Sequence, residues 1–285
     1  MHKLLLDCDN TLGLFGREID DGLALLYFFG RADVDLLGIT TVFGNGSIEQ
    51  VHRQTGWLLD KLGREKMTLH RGAARAAQSA TSAAEFLAET VSDAPGEIGL
   101  LALGPLTNVW GAAQLDPGFF SNLKYIYCMG GFTHPVRKGW RHVGELNFSA
   151  DPKAAAAVLE APCPVSVCNA HICFSLSFGW SDLQHVAFMP PWLLRTVRSW
   201  LLAFGLYQGV SRFYLWDLLP ALLLTDPDFF ESAWTRLDAS EANLRAGWLT
   251  PSERGGVQVR MPIRILDAEA CKEAVFQAWM RGLDL

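Results

Sequence analysis

The chain has 285 residues, carries 24 Lys+Arg against 30 Asp+Glu for a formal charge of −6, and is half hydrophobic with 19% charged side chains. Such a composition excludes a disordered chain and speaks against a nucleic-acid partner, because phosphate neutralisation needs a basic stripe and none is evident. No run approaches the ~20 apolar residues that span a bilayer; the best candidate, residues 192–207, is broken by Arg195 and Arg198, so no membrane partner is expected.

In chain order, residues 4–6 read as a strand, 20–30 as a helix and 36–42 as the next strand. Ser47 then caps a helix running to about Leu62, since its hydroxyl can accept a bond from a first-turn N–H that has no partner within the helix. A strand at 99–103 precedes a helix at 107–115; strands follow at 125–129 and, after an Ala-rich helix at 151–160, at 165–168. Five strands alternating with helices predict an α/β fold: one domain, 1–285, with an open, mostly parallel, Rossmann-like sheet flanked by helices. After Cys173 the pattern becomes mainly helical and Trp- and Leu-rich, with a strand-like alternation at 257–261 and a last helix at 268–280. Only three leucines precede Asp7, too few for a signal-peptide apolar region. Cys8, Cys128, Cys163, Cys168, Cys173 and Cys271 form no CxxC pair, and free thiols in a reducing cytoplasm are the simplest reading.

In an open parallel sheet, ligands collect at the carboxyl ends of the strands, where loops and helix N-termini meet. Those ends carry Asp7, Asp9, Asn45, Thr107 and Met129-Gly130-Gly131. Asp20 and Asp21 follow at the start of the first helix, and four carboxylates so close repel one another unless a cation neutralises them. Without paired Cys or clustered His, a hard ion on oxygen ligands, Ca²⁺ or Mg²⁺, is favoured over zinc. The plainer alternative has Asp20 capping the helix, Asp21 complementing its positive end and Asp7 making a loop bond, which leaves Asp9 without a task. For Asn45, within Gly44-Asn45-Gly46, an ordinary turn residue is the competing reading.

Two families share features with this stretch. Leu4-Leu5-Leu6-Asp7-Cys8-Asp9-Asn10-Thr11 resembles the first motif of the haloacid dehalogenase-like phosphatases, which implies Asp7 as nucleophile, Asp9 as acid/base and a Mg²⁺ ion. That family's downstream Ser/Thr, Lys and acidic pair find no matching strand-end context. Residues 3–225 as a whole resemble the inosine-uridine preferring nucleoside hydrolases, whose DxDPGxDD signature is matched by Asp7, Asp9, Asp20 and Asp21 ahead of Gly22-Leu23-Ala24-Leu25. Further segments agree in order: Ile39-Thr40-Thr41-Val42-Phe43-Gly44-Asn45, Ala102-Leu103-Gly104-Pro105-Leu106-Thr107-Asn108, Met129-Gly130-Gly131, and Glu145-Leu146-Asn147 before Asp151-Pro152. Trp216-Asp217 opens a helix where the family usually has His-Asp. Residues 10–19 depart from the signature; this insertion, with two glycines, can bulge as a loop over the mouth of the site, and either its likeness to the phosphatase motif is accidental or it is a lid contributing Phe15 or Arg17 to substrate contacts.

The resemblance implies hydrolysis of the N-glycosidic bond of ribonucleosides through an oxocarbenium-like ribosyl cation. It places Ca²⁺ on Asp9, Asp21, the Thr107 carbonyl and Asp217, with Asp9 also the general base that deprotonates the attacking water. Asp20, Asn45, Glu145 and Asn147 would hold the ribose hydroxyls, Met129 would line the pocket, and Trp216 would stack on the base, which suits a purine. Glu145 and Asn147 alternate and are expected on one side of an extended segment. A further sugar-binding Asn of the family falls near Gly139 or Trp140 and is missing, and the segment after His70 is shorter than in the family. His134 and His142 lie in a loop that can overhang the pocket, as candidate proton donors. A non-catalytic ribosyl-binding relative is the remaining reading. Trp192, Trp200 and Trp234 are candidates for the interface of a homodimer or homotetramer.

Overall fold

The computed structural model describes residues 1–138, 141–142 and 144–284, with side chains at all of these except 137–138 and 141–142. Gly139, Trp140 and the His142 side chain, named above, therefore lie outside the described residues.

A central strand buried on both faces reads as a continuous apolar run. Leu4, Leu5 and Leu6 are wholly inaccessible in β1 (His2–Cys8), the strand about which the sheet is organised. On one side of it lie β2 (Val34–Thr41) and β3 (Leu69–Arg71); on the other lie β4 (Ile98–Ala102), β5 (Tyr125–Met129) and β6 (Val165–Cys168). The sheet is completed by β7 (Phe230–Asp238), β8 (Thr250–Pro251) and β9 (Val257–Ile265), giving nine strands in the order β8-β7-β9-β6-β5-β4-β1-β2-β3. Only β7 runs against its neighbours; the other pairings are parallel. The chain leaves β1 toward β2 and β3, then returns to β4 on the opposite side. This reversal opens a crevice at the carboxyl ends of β1 and β4, where α/β sheets place their ligands.

Helices cover both faces. Beside Leu4 and Leu6 pack α1 (Asp20–Phe29) and α8 (Ala268–Gly282), while α3 (Ser82–Asp93), α4 (Thr107–Leu115) and α5 (Pro152–Leu159) cover the face of Leu5 and Leu100. Between α1 and α8 the approach is so close that a Cβ on Gly30 would stand 1.8 Å from the Ala278 carbonyl oxygen. The expected cap of α2 (Ile48–Lys61) is a reciprocal one: the Ser47 hydroxyl accepts from Gln50 N–H, and Ser47 N–H donates to the Gln50 side chain. After β6 come α6 (Pro191–Gln208) and α7 (Leu218–Thr225).

Among the elements not anticipated are β3, α3, β7 and β8. Within the mainly helical second half, β7 adds a strand that was not expected: Phe230-Glu231-Ser232-Ala233-Trp234-Thr235-Arg236-Leu237-Asp238 lies next to the sheet's edge with one face toward solvent. All six cysteines are free and buried. Among the described residues no helix is long and apolar enough to cross a membrane.

Candidate active site

Asp9 leaves the end of β1 and is seated by the turn after β2. Its Oδ2 accepts from the Asn45 backbone N–H (2.6 Å) and its Oδ1 from Asn45 Nδ2 (3.2 Å). Gly44 makes this seat: its φ is +154°, and a Cβ there would lie 2.0 Å from Asp9 Oδ2. The Asp9 N–H in turn donates to Asp21 Oδ1 (3.2 Å), in the first turn of α1. Asp217, the residue before α7, donates its N–H to Asp20 Oδ2 (3.3 Å). Oxygens of Asp20, Asp21 and Asp217 lie within 4.8 Å of one another.

All four acids are at most 4% exposed. Burial is the main force raising their pKa values, to about 6 for Asp21 and well above the carboxylate range for Asp9, Asp20 and Asp217. Neighbouring carboxylates add to it: Asp21 acts on Asp9, Glu18 and Asp21 on Asp20, and Asp20 and Asp21 on Asp217. Asp21 Oδ2 has no hydrogen-bond partner. Converging carboxylates with an orphaned buried oxygen are the donor set that a hard divalent cation satisfies.

Asp7, two residues before Asp9, has a different fate. Its Oδ1 accepts from Thr40 Oγ1 (2.6 Å) and Asn108 Nδ2 (2.8 Å), and burial raises its pKa to about 7. Asp7 thus ties the ends of β1 and β2 to the start of α4, a structural task for the residue that the phosphatase resemblance makes the nucleophile.

Of these acids Asp217 borders a cavity of about 780 Å³ whose wall also includes Glu18, Asn45, Leu103, Met129, Phe132, Glu145, Asn147 and Trp216; Asp9 and Asp20 are bonded to the wall residues Asn45 and Asp217, and Asp21 to Asp9. Six expected residues thus meet there: Asn45, Met129, Glu145, Asn147, Trp216 and Asp217. Trp216 is braced edge-on by Phe174 and Tyr214, with ring centroids 5.2 and 5.5 Å away. Asn147 Nδ2 donates to the carbonyls of Leu103 (2.7 Å) and Met129 (3.0 Å), joining the ends of β4 and β5.

Several expectations are corrected. Glu145 and Asn147 do not share an extended segment: Asn147 opens a one-turn helix, Asn147–Ala150, and Glu145 caps it by accepting from the N–H groups of Asn147, Phe148 and Ser149. Thr107 is not on the cavity wall. It is the first residue of α4, where its carbonyl enters the helical ladder, and its hydroxyl donates to Asp151 Oδ2 (2.8 Å). Four residues earlier, directly beyond β4, Leu103 borders the cavity instead, and its carbonyl is turned toward Asn147 on that wall.

The insertion is a folded loop. Thr11 Oγ1 donates to the Glu18 carbonyl (2.7 Å), and Arg17 Nη1 donates to the Asn45 carbonyl (2.9 Å). Phe15, 87% exposed, points to solvent and not to substrate. The insertion's contribution to the wall is Glu18, which sequence reasoning missed although it lies next to Ile19-Asp20-Asp21. His134 stacks on His171 (centroids 3.5 Å apart) and His70 on Phe86; none of these rings borders the cavity.

A cavity beside a cluster of buried carboxylates that could hold a cation, at the switch point of a parallel sheet, is where α/β enzymes place their ligands. The family model for inosine-uridine preferring nucleoside hydrolases matches residues 4–273. The chain is 28% identical over 265 residues to a probable uridine nucleosidase of Oryza sativa subsp. japonica, covering 80% of this chain and 75% of the relative. The fold is shared with a plant nucleoside hydrolase (TM-score 0.85, 20% identity, 98% of this chain and 99% of that one). It is also shared with a purine-preferring ribonucleoside hydrolase from Gardnerella vaginalis (TM-score 0.85, 19% identity, 99% and 98%). The chain belongs to the inosine-uridine preferring nucleoside hydrolase family and is an N-glycosidase.

Proposed function

We propose that this chain hydrolyses the N-glycosidic bond of ribonucleosides to free base and ribose, with Ca²⁺ as its resident ion and a preference for purines. The observation that carries this reading is the cluster of Asp20, Asp21 and Asp217, with Asp9 bonded to Asp21, beside a cavity walled by Asn45, Asn147, Trp216 and Asp217 itself. Asp9, Asp21 and Asp217 would hold the ion, with the Leu103 carbonyl taking the part expected of Thr107. When bound, it supplies positive charge that draws a sugar diol and lowers the pKa of water.

Asp9 receives the proton of the attacking water. Both its oxygens accept hydrogen bonds from Asn45, which fixes the carboxylate and favours its charged, basic form. Asp20 and Asn45 hold ribose hydroxyls, and Asn147 and Glu145 hold the opposite edge of the sugar. The surrounding carboxylates stabilise positive charge developing on the ring in the oxocarbenium-like transition state. Trp216 offers its ring for stacking, and the large face of a purine gains most from it. The chain would work as one domain, 1–285, in the cytoplasm, where a reducing milieu suits six buried thiols. Exposed Leu202, Leu206 and Tyr207 on α6 support a homodimer or homotetramer.

The test is a reducing-sugar assay over purine and pyrimidine ribosides, with and without chelator, on wild type and Asp9→Ala. Ribose release that stops on chelation and falls at least about 100-fold in the variant is expected. Release that persists in Asp9→Ala removes Asp9 as the base, and ribose binding without turnover replaces the hydrolase by a binding protein.

A further inference from the structure

The insertion also walls a second cavity, of about 700 Å³, which shares no wall residue with the one beside the acids. The loop gives Glu18 to the first and Arg17 and Ile19 to the second. α6 contributes one face: Trp192, Arg195, Thr196, Ser199 and Trp200 follow the three- and four-residue spacing that gathers side chains on one side of a helix. A different face of α6, made of Leu193, Val197, Leu201 and Phe204, is buried in the core and holds the helix in place. Trp192 meets Trp57 of α2 edge-on, with ring centroids 5.3 Å apart. Gly13 lies so close to Trp57 that a Cβ there would stand 2.9 Å from its ring. Packing thus assembles this cavity from three separate parts of the chain.

The wall has one sign of charge. Among the described residues it carries Arg17 and Arg195 and no Asp or Glu, in a chain whose formal charge is −6. Neither arginine forms an ion pair among the described residues, and the segment 137–143 contains no acid that could supply one. Arg17 gives one N–H to the Asn45 carbonyl and keeps the rest of its five donors. The Ser199 hydroxyl lies one helical turn beyond Arg195, while that of Thr196 already donates to the Trp192 carbonyl (3.1 Å). A phosphate monoester brings close to two negative charges and three acceptor oxygens, which guanidinium groups match with paired N–H donors. Trp57, Trp192 and Trp200 add ring surface for a flat aromatic group. Arginines and indoles on one wall therefore suit a ligand that is anionic at one end and aromatic at the other, and the volume is that of a small-molecule site.

We propose that this cavity is a second ligand site, for an aromatic phosphate monoester of the nucleoside 5′-monophosphate class, with Arg195 and Arg17 on the phosphate and the three indoles around the base. It stands apart from the N-glycosidase reading, because none of the residues given a part in that reaction lines this cavity.

The test is calorimetric titration of the full chain with AMP, beside Arg195→Ala and Arg195→Lys. One AMP per chain is expected at this site, bound at least about tenfold more weakly by Arg195→Ala, with Arg195→Lys recovering part of the loss. Arg195 is exposed, and unchanged thermal unfolding reports that its variants are folded. Inorganic phosphate alone is expected to bind at least about tenfold more weakly than AMP, since it gives the indoles nothing to hold; equal affinity overturns the aromatic half of the proposal. AMP bound equally by wild type and Arg195→Ala places the nucleotide elsewhere and overturns the site. So does the absence of AMP binding; if Arg195→Ala then also changes the molecular mass in solution, the occupant is a second copy of the chain. Each of these failures leaves ribose release by the neighbouring cavity untouched.

Discussion

Beside the cavity, the acids are held by bonds that join distant parts of the chain: Asn45 to Asp9 spans 36 residues and Asp217 to Asp20 spans 197. At the rim, the insertion is held over its own length, Thr11 to Glu18 spanning seven, and Glu145 caps the turn that follows it. The acid cluster is thus fixed by the whole sheet, because strand ends β1 and β2 and the start of α7 must all be in place. The rim is built largely from local turns and is tied to the seat of Asp9 through Arg17 on the Asn45 carbonyl. Chemistry common to a family belongs in the first kind of structure, and selectivity peculiar to one chain in the second.

The acid cluster is where substitutions cost most. Asp9→Asn is expected to lower kcat about 1,000-fold, since the amide cannot take a proton from water, while thermal unfolding shows the fold intact. The pH dependence of the ion-free protein tests the same region by stability. Asp7 has a pKa of about 7 when folded against an ordinary value near 4 when unfolded. The folded state therefore binds the extra proton between these values. Stability is fully present below about pH 4 and is lost as pH rises through about 7, by on the order of 4 kcal/mol from this group. Asp21, raised to about 6, acts in the same direction. Denaturant unfolding with chelator across that range should show the decline, and added Ca²⁺ should flatten it, because the cation favours the charged carboxylates.

Gly44→Ala tests the seat of Asp9. Its Cβ would collide with Asp9 Oδ2 at a φ that disfavours L side chains, so a stability loss of about 1–3 kcal/mol is expected, with kcat reduced at least tenfold. At the rim, Glu145→Ala should mainly destabilise, by about 1–3 kcal/mol, because several N–H groups lose their acceptor. Phe15→Ser should change neither activity nor stability beyond about 0.5 kcal/mol, since the ring lies in solvent.

The same division explains what was legible in the amino-acid sequence. Strands β4 and β6 and most of β1 are buried on both faces, β2 and β5 in part, and all five read as short apolar runs. β7 alternates charged and apolar residues and lies beside Trp- and Leu-rich helices, so its pattern was submerged. Carboxylates announce themselves: Asp20, Asp21 and Asp217 lie together and Asp9 is bonded to Asp21, although the resemblance gave Asp20 to the sugar and Asp9 to the ion. A backbone carbonyl carries no side-chain signature, which is why Thr107 stood where the structure turns Leu103 toward the cavity. Glu145 and Asn147 were read with the two-residue period of a strand, but a single helical turn brings both to the wall. Glu18 was missed because the bulge was judged by its large side chains, Phe15 and Arg17, while the loop directs Phe15 to solvent and ties Arg17 to the Asn45 carbonyl.

Calorimetric titration of the chelator-treated chain with Ca²⁺, beside Asp217→Asn, probes the gathering of these acids most directly. One ion per chain is expected, bound at least about 100-fold more weakly by the variant. No binding, or equal affinity in both proteins, would contradict a cation held jointly by the first-helix acids and the residue that opens α7.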